Sequence, residues 1–375
     1  MPLARRLTPL AALLFAAAPA GAQELGTYRE FRDWMAACDN TRTCRAYALP
    51  ADPDVPRITL GLLRTGAPDA APQLYLHFTD ENLIERVRRV TIRSEAGAIA
   101  TLSPGGGLTA DENIFRITDS RAAAAILAEA RRSRELRLVF EPPLPNVQRD
   151  ALRISLDGAS AALLWIDDRQ MRIGTVTALA RRGNAPAAAV PVPVVPAEPQ
   201  GRPSTGGPAP SELTPTAMNA VMAAFRGLPG DACNQEDEER DAPSIDRLGP
   251  GQLLVGVRCW RGAYNFSRAY YLVDEGPQPN VRPASFPRPA VPAPSQERDA
   301  AEADNVLVNA DYVAETGGID HYSKGRGIGD CGELGSWVWD GRAFQPTRLT
   351  LMPACRGILP LHWFALYRTQ EGRTP

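Results

Sequence analysis

Short runs that alternate apolar and polar residues, or that are apolar throughout, predict a chain made mainly of β-strands. Two stretches of the first half are helical instead. Asp119 or Ser120 is a suitable cap for an alanine-rich helix through Arg132, and a second helix is predicted from Ser160 to Gln170. The strands predicted in this half are Ile58–Leu63, Leu74–Phe78, Val87–Ile92, Leu136–Phe140 and Leu152–Leu156.

The second half opens with a clear helix start and then returns to strands. Thr214 is a suitable N-cap, Pro215 suits the first turn and Gly227 suits the end of the helix. Further on, the pair Asp340-Gly341 lies between β-rich flanks and favours a hairpin with a two-residue turn. The other strands predicted here are Leu253–Cys259, Ala269–Val273 and Val306–Asn309. The fold class predicted for the whole chain is mainly β with a few helices (α+β).

Proline marks a division of the chain into two parts. Residues 184–213 contain eight prolines and no hydrophobic period, which is typical of an extended, solvated linker. This linker separates an N-terminal β-rich domain, 23–183, from a C-terminal β-rich domain, 214–375, and each is long enough to bury its own core. A second proline cluster, 277–294, is interpreted as a surface loop inside the C-terminal domain, because cysteines flank it.

The first 22 residues have the features of an export signal. Arg5 and Arg6 precede an apolar run, Leu10 to Ala18, that is too short to span a bilayer, and small residues 20–22 provide a cleavage site before Gln23. A retained membrane anchor is the alternative, but the polar stretch after the run leaves it too short. No later segment has the ~18 apolar residues of a membrane helix, so we expect a soluble mature chain, periplasmic or secreted from a Gram-negative bacterium.

Charge and composition narrow the classes of partner. The chain of 375 residues carries 41 basic and 43 acidic side chains, a formal charge of −2, which makes nucleic acid an improbable partner. Metal-ligand spacings of the type C-x2-C or H-x3-H are missing from the sequence, and the acidic run 236–239 lacks the glycine and the spaced oxygens of a calcium loop. The sequence therefore predicts neither a metal site nor a cofactor.

Six cysteines, an even number in an exported chain, predict disulfide bonds. They are Cys38, Cys44, Cys233, Cys259, Cys331 and Cys355. Fifteen pairings are possible in principle. If the linker separates two folding units, the first two pair with each other and the other four pair among themselves, with pairing of sequence neighbours as one solution. The alternative of Cys331 as a nucleophile beside His321 requires a free thiol, which an even count does not predict.

Several motifs resemble one known family. The opening, Phe31-x2-Trp34-x3-Cys38-Asp39-Asn40-x3-Cys44-Arg45-Ala46, resembles that of the bacterial exported proteins grouped as domain-of-unknown-function family 1176. So do Cys259-x2-Gly262-Ala263-Tyr264-Asn265, the stretch Lys324–Gly332, Trp337-x-Trp339-Asp340-Gly341-x2-Phe344 and Cys355-Arg356-Gly357. The first domain also resembles the invasion-associated locus B family. Both resemblances imply an exported protein, and neither implies an activity.

The glycine-rich loop and a tryptophan pair are the candidate binding residues. Lys324 and Arg326 lie in the glycine-rich loop. This loop is interpreted either as a disulfide-anchored turn or as a small surface that binds an anion or a partner. Asp330 replaces the last glycine of a dinucleotide fingerprint, so a nucleotide is not predicted. A strand puts Trp337 and Trp339 on one face, where they pack in the core or, if exposed, form a platform for a glycan or peptide.

We interpret the chain as a non-catalytic binding module, since no G-x-S-x-G or other catalytic constellation is present. Its partner would be an envelope protein or a cell-wall component. One alternative is an extracytoplasmic, hydrolase-like enzyme, with His321, Asp320, Asp330 and Glu333 around one loop. Another is an inhibitor of a hydrolase, which would present Lys324 and Arg326 on a rigid protrusion.

Overall fold

The computed structural model describes residues 26–49, 58–147, 152–228, 233, 241–289 and 303–370. The predicted signal 1–22, the acidic run 236–239 and residues 290–294 of the second proline cluster lie outside these ranges. In the described chain the strands are β1 (Thr27–Phe31), β2 (Trp34–Cys38), β3 (Cys44–Ala48), β4 (Ile58–Arg64), β5 (Gln73–Phe78), β6 (Arg89–Ser94), β7 (Gly97–Pro104), β8 (Gly107–Asp111), β9 (Ile114–Ile117), β10 (Glu135–Glu141), β11 (Arg153–Ser155), β12 (Ser244–Gly249), β13 (Gln252–Arg261), β14 (Phe266–Asp274), β15 (Asn280–Pro283), β16 (Val306–Val308), β17 (Asp311–Val313), β18 (Gly318–Lys324), β19 (Gly332–Trp339), β20 (Phe344–Met352) and β21 (Phe364–Arg368). The mainly β class is confirmed.

Three sheets contain these strands. The first has eleven strands in the order β1-β2-β3-β4-β5-β9-β8-β7-β6-β10-β11, and only its short β7–β8 pair is parallel. The second has the order β12-β13-β14-β15, with β16 also paired to β14. The third is an antiparallel meander, β17-β18-β19-β20-β21. Each sheet is open, so its apolar faces are covered by helices or by another sheet.

The predicted helices are confirmed, with one shorter than expected. They are α1 (Ser120–Glu129), α2 (Ala159–Arg169) and α3 (Pro215–Arg226). Asp119 caps α1 by accepting from two backbone N–H groups, and Thr214 caps α3 as predicted. The first helix ends at Glu129 and not at Arg132, because the next residues form tighter turns, with the N–H of Arg132 on the carbonyl of Glu129.

The Trp339–Phe344 hairpin forms, but its turn is longer than predicted. Strands β19 and β20 end and begin at these two residues, so the connection is the four residues Asp340–Ala343. The reason is local. The Asp340 carboxylate accepts from the backbone N–H groups of Arg342 and Ala343 and thereby holds a wider loop.

All three disulfides join sequence neighbours, which confirms the neighbour pairing. Cys38 is bonded to Cys44 across the β2–β3 hairpin. The other two bonds are Cys233–Cys259 and Cys331–Cys355, and no cysteine is free. No helix in the described part of the chain is long and apolar enough to cross a membrane.

Residues 184–213 form an extended strap with one short 3-10 turn, Ala187–Ala189. Its backbone is hydrogen-bonded to both neighbouring parts of the chain: the Arg42 guanidinium donates to the Pro191 carbonyl, and the Arg202 N–H donates to the Trp339 carbonyl. The strap is thus extended as expected but held against the sheets along much of its length. The division into domains 23–183 and 214–375 stays a prediction.

Candidate binding groove between the first and third sheets

Strand β2 is buried on both faces, which places the first sheet between two layers. Trp34, Ala36 and Cys38 belong to the core beneath α1 and α2. Met35 and Ala37 belong to a second core, formed with side chains of β20 and β21 such as Leu349 and Phe364. Because side chains alternate along a strand, Arg45 and Tyr47 of the neighbouring β3 lie on one face, and Tyr47 belongs to this second core. A polar stripe of the first sheet therefore meets the third sheet.

Asp39, in the turn between β2 and β3, ties this hairpin to the end of the chain. Its buried carboxylate accepts from the N–H groups of Thr41 and Thr43, at 2.8 and 2.9 Å, and lies 2.8 Å from the guanidinium of Arg368 on β21. Asn40 adds a reciprocal pair of 2.9 Å bonds to the backbone of Arg368. The turn and β21 thus form one hydrogen-bonded unit.

A second polar cluster lies inside the junction. The Tyr75 hydroxyl donates to the Tyr47 hydroxyl at 2.9 Å, and Tyr47 donates to the His362 carbonyl at 2.7 Å. The Asn113 side chain bridges two histidines, at 2.8 Å from His362 Nε2 and 2.8 Å from His77 Nε2. These side chains connect β3, β5 and the β8–β9 turn to the short 3-10 turn Pro360–His362.

Burial keeps both histidines of this cluster uncharged. Burial, His362 and Arg45 together lower the pKa of His77 to about 3. Burial, with Arg45 as the next cause, lowers the pKa of His362 to about 4. Burial and the neighbouring Tyr75 raise the pKa of Tyr47 well above its ordinary value. At neutral pH the cluster is therefore neutral, apart from the adjacent guanidinium of Arg45.

Two cavities open along this junction and share Arg45, Leu63 and Leu361 in their walls. The larger is about 530 Å³ and is lined by β2, β3 and β4 on one side and by β19, β20 and β21 on the other. The smaller is about 250 Å³ and reaches Tyr75 and His362. We call the two together the junction groove. Its volume lies in the range of sites for small organic ligands, roughly 300–1,000 Å³.

The walls of the larger cavity mix hydroxyl groups with charge. Arg45, Arg348 and Arg368 face Asp39 and Glu198, so one positive charge is left over. Thr43, Thr347 and Ser336 supply hydroxyl groups to the lining. Thr350 also lines the cavity; it is 1% exposed, and its buried Oγ1 has no hydrogen-bond partner among the described residues. The groove therefore offers cationic and hydroxyl donors to a ligand.

The predicted glycine loop is a turn fixed by its own side chains. Arg326 donates to both oxygens of the Asp330 carboxylate, at 2.7 and 2.6 Å, and the Gly357 N–H donates to one of them at 2.6 Å. Lys324 lies 5.2 Å from the centre of the Tyr322 ring. The sulfurs beside Asp330 are bonded to each other in the Cys331–Cys355 disulfide and do not ligate a metal. This geometry is that of the disulfide-anchored turn, and a binding role of the loop stays a prediction.

Trp337 and Trp339 lie in the core. Their exposed fractions are 1% and 2%, and they pack with Phe286 and Phe344 between the second and third sheets. The Trp337 indole N–H donates to the Pro287 carbonyl at 2.8 Å. The exposure that a glycan or peptide platform requires is therefore missing at both rings.

The side chains suggested for an enzyme are only partly brought together. His321 is 3% exposed, accepts from the Val308 N–H through Nδ1 at 2.9 Å, and has Nε2 3.7 Å from Glu333. Asp320 lies on the opposite, exposed face of β18. Asp330 is engaged by Arg326 and Gly357. His321 and Glu333 are neighbours, whereas the two aspartates belong to other surroundings.

The groove residues were not singled out by sequence reasoning. Asp39 and Arg45 occur in the sequence analysis only as parts of a family motif, and His77, which is fully buried, belongs to none of the motifs. One usable signal is present: Arg45 and Tyr47, like Tyr75 and His77, are polar residues two apart with apolar residues between and beside them. Which element faces such a polar stripe depends on pairing between distant parts of the chain, and local patterns do not contain it.

The comparisons with known proteins agree with the motifs. A family model described as a protein of unknown function (DUF1176) matches residues 28–370. The chain is also similar to the "Uncharacterized protein YpfG" of Escherichia coli (strain K12), with 26% identity over 340 residues, or 87% of this chain and 88% of that protein. No solved structure matches. The resemblance to the invasion-associated locus B family stays a prediction. Since the matched range includes the Asp39 turn, the glycine loop and both walls of the junction groove, the chain belongs to the DUF1176 family.

Proposed function

We propose that this protein is an exported, non-catalytic binding protein and that its ligand occupies the junction groove. The observation that carries the proposal is the larger cavity, which is lined by side chains of both the first and the third sheet together with Glu198 of the strap. Binding sites concentrate where separate structural layers meet, with an apolar wall and a few placed polar groups. Trp363 and Leu63 supply the apolar wall here, and the arginines and Thr350 supply the polar groups.

An extracytoplasmic address supports a ligand or partner from the cell envelope. Three disulfides are typical of oxidising compartments, and the first 22 residues have the charge and length of an export signal. We propose the periplasm as the location and a cell-wall fragment or an envelope protein as the source of the ligand. Periplasmic extraction followed by N-terminal sequencing tests the address. Material that begins at Gln23 is expected, and cytoplasmic material with an intact leader would contradict it.

Binding in the groove is tested with a variant that obstructs it. Leu361 is 56% exposed and lines both cavities, so Leu361→Trp places a large ring there with little cost to the core. The matched control is Val176→Trp, at a residue that is 51% exposed and lines neither cavity. Purified proteins are screened by thermal shift against metabolites and cell-wall fragments, and hits are measured by calorimetry. A hit that binds the control normally and Leu361→Trp at least tenfold more weakly supports the proposal. The proposal would be refuted if no compound binds, or if every compound that binds has the same affinity for Leu361→Trp as for the control.

A further inference from the structure

Arg45 carries a charge that the described part of the protein leaves without a carboxylate partner. Its hydrogen-bond contacts there are two long ones of 3.5 Å, to the Tyr47 hydroxyl and to the Trp363 carbonyl. Two other arginines of the junction differ, whereas Arg348, which is exposed, also has no carboxylate partner among the described residues. Arg368 is paired with Asp39, and Arg116 is paired with Asp111. A guanidinium has five N–H donors in a planar fork, and Arg45 makes little use of them.

The position of Arg45 directs these donors to the groove. Arg45 is one of three residues common to the walls of both cavities, and it is half-buried between β2 and β4 in the first sheet. A cation that is partly removed from water favours an anion as its neighbour, since the screening of their attraction is reduced.

Thr350 gives a second and independent indication. Thr350 lines the larger cavity, and its buried Oγ1 has no hydrogen-bond partner among the described residues. A buried hydroxyl with no hydrogen bond destabilises the protein, and a ligand oxygen that accepts from it would recover that free energy. The residues that line the groove thus include a guanidinium without a carboxylate partner and a hydroxyl without any partner among the described residues.

Charge and shape decide between classes of anion. The larger cavity has three arginines against two acidic side chains, an excess of one positive charge. This matches a monocarboxylate better than a phosphate, which carries ≈ −1.5 to −2 charges at neutral pH. The planar fork of an arginine also fits the two oxygens of a carboxylate. Trp363, Leu63 and Leu361 leave an apolar wall for the rest of such a molecule.

We propose that the junction groove binds a small organic carboxylate with an apolar tail and that Arg45 holds the carboxylate. This inference rests on the proposed binding function and adds the class of ligand. Thr350 donates to the same head group or to an oxygen next to it. Arg45 is a binding residue in this proposal and takes part in no chemical step.

The test uses matched acid and amide probes on the full mature chain. N-acetylleucine and 4-phenylbutyrate are titrated by calorimetry against their neutral amides, with inorganic phosphate as a third arm. Arg45→Gln keeps hydrogen-bond donors but removes the charge. Arg93→Gln removes an exposed charge from β6 that lines none of these cavities and serves as the control. Circular dichroism and the melting temperature show that each variant is folded.

We expect at least one acid to bind the wild type and Arg93→Gln with equal affinity. We also expect it to bind Arg45→Gln at least tenfold more weakly, and its amide to bind the wild type at least tenfold more weakly. Equal binding of acid and amide, equal binding by Arg45→Gln, tighter binding of phosphate, or binding of neither acid would each overturn the carboxylate assignment. A different result would refute the proposed function: no compound of the wider screen would bind Leu361→Trp more weakly than it binds the control.

Discussion

Asp39 shows how a motif residue stabilises a fold from the middle of a turn. The side chain is 2% exposed, and its carboxylate is surrounded by the N–H groups of Thr41 and Thr43 and by the guanidinium of Arg368. A buried carboxylate needs such compensation, because leaving water costs a charged group several kcal/mol. The same contacts fasten β21 to the first sheet, so one residue sets the local turn and joins two distant parts of the chain.

Removing Arg368 should therefore destabilise the protein strongly. Arg368→Ala leaves the Asp39 carboxylate buried with two backbone N–H groups and the Thr41 hydroxyl as its donors and with no positive charge beside it. We expect a loss of about 3 kcal/mol in the free energy of unfolding. The control is Arg89→Ala, which breaks an ion pair with Glu141 whose side chains are 55% and 57% exposed, and which should cost less than about 1 kcal/mol. Urea unfolding measures both. Equal losses in the two variants would show that the Asp39–Arg368 contact stabilises the fold no more than an exposed ion pair does.

The two histidines bonded to Asn113 predict a particular pH dependence. The folded-state pKa values of His77 and His362, about 3 and about 4, lie below the ordinary value of 6.5, so between these limits the unfolded chain binds more protons. Their contribution to stability is complete above pH 6.5 and is lost as the pH falls toward 4. At pH 5 the loss is about 2 kcal/mol for each histidine, at 1.36 kcal/mol for each pH unit.

Urea unfolding at several pH values measures this loss of stability. Between pH 7 and pH 5, His362→Gln should lose less free energy of unfolding than the wild type. Histidine resonances of the folded protein give an independent readout, and those of His77 and His362 should not titrate between pH 8 and 5. A normal titration near pH 6.5 of either ring would contradict the prediction.

Among the elements, strands with a clear alternation or a long apolar run, such as β10 and β4, were predictable from the chain, whereas the short, alanine-containing β2 was not. Strand β10 alternates strictly between exposed and less exposed positions, from Glu135 to Glu141, and its predicted bounds were wrong by one residue at each end. Strand β2, Trp34–Cys38, is buried at all five positions and has no alternation to detect. Its second face is buried only because β20 and β21 pack on it, and these strands lie roughly three hundred residues further along the chain. The junction groove was unpredictable for the same reason.

Helix α2 depends on a glycine at its start. Gly158 has a φ of 94°, and a Cβ there would lie 1.7 Å from the carbonyl oxygen of Phe31 on β1. Gly97 has a φ of 130°, but a Cβ there would meet nothing within 4 Å. The two positions share the backbone strain that a side chain would introduce, and only Gly158 adds a collision with a strand.

Gly97→Ala should cost about 1 kcal/mol from the backbone alone, and Gly158→Ala about 3 kcal/mol, because the clash is added to the strain. Thermal unfolding of the two variants measures the difference. A similar cost at both positions would mean that α2 moves away from β1 freely, and the close packing of helix on strand would then contribute little to the fold.

For the whole molecule, the junction between the first and third sheets holds the two parts of the chain together more strongly than the strap does. One buried cluster combines Met35, Tyr47 and Tyr75 from the first sheet with Leu349 and Phe364 from the third. Burial of apolar surface stabilises by roughly 25 cal/mol for each Å², so an interface of this kind holds without a covalent link. Independent motion of two domains on a free linker, in contrast, requires that their facing surfaces remain exposed to solvent.

Cutting the strap distinguishes these two descriptions. A protease site inserted between Gly206 and Gly207, both exposed, breaks the chain after the segment that is hydrogen-bonded to Trp339. We expect the two pieces to elute together in size-exclusion chromatography and to separate only in denaturant, because the buried cluster and the Asp39–Arg368 pair connect them. Introducing Arg368→Ala into the cut protein should weaken this association, whereas Arg89→Ala should not. Two pieces that separate under native conditions would instead support independent domains, and the junction groove would then be a transient contact and not a binding site.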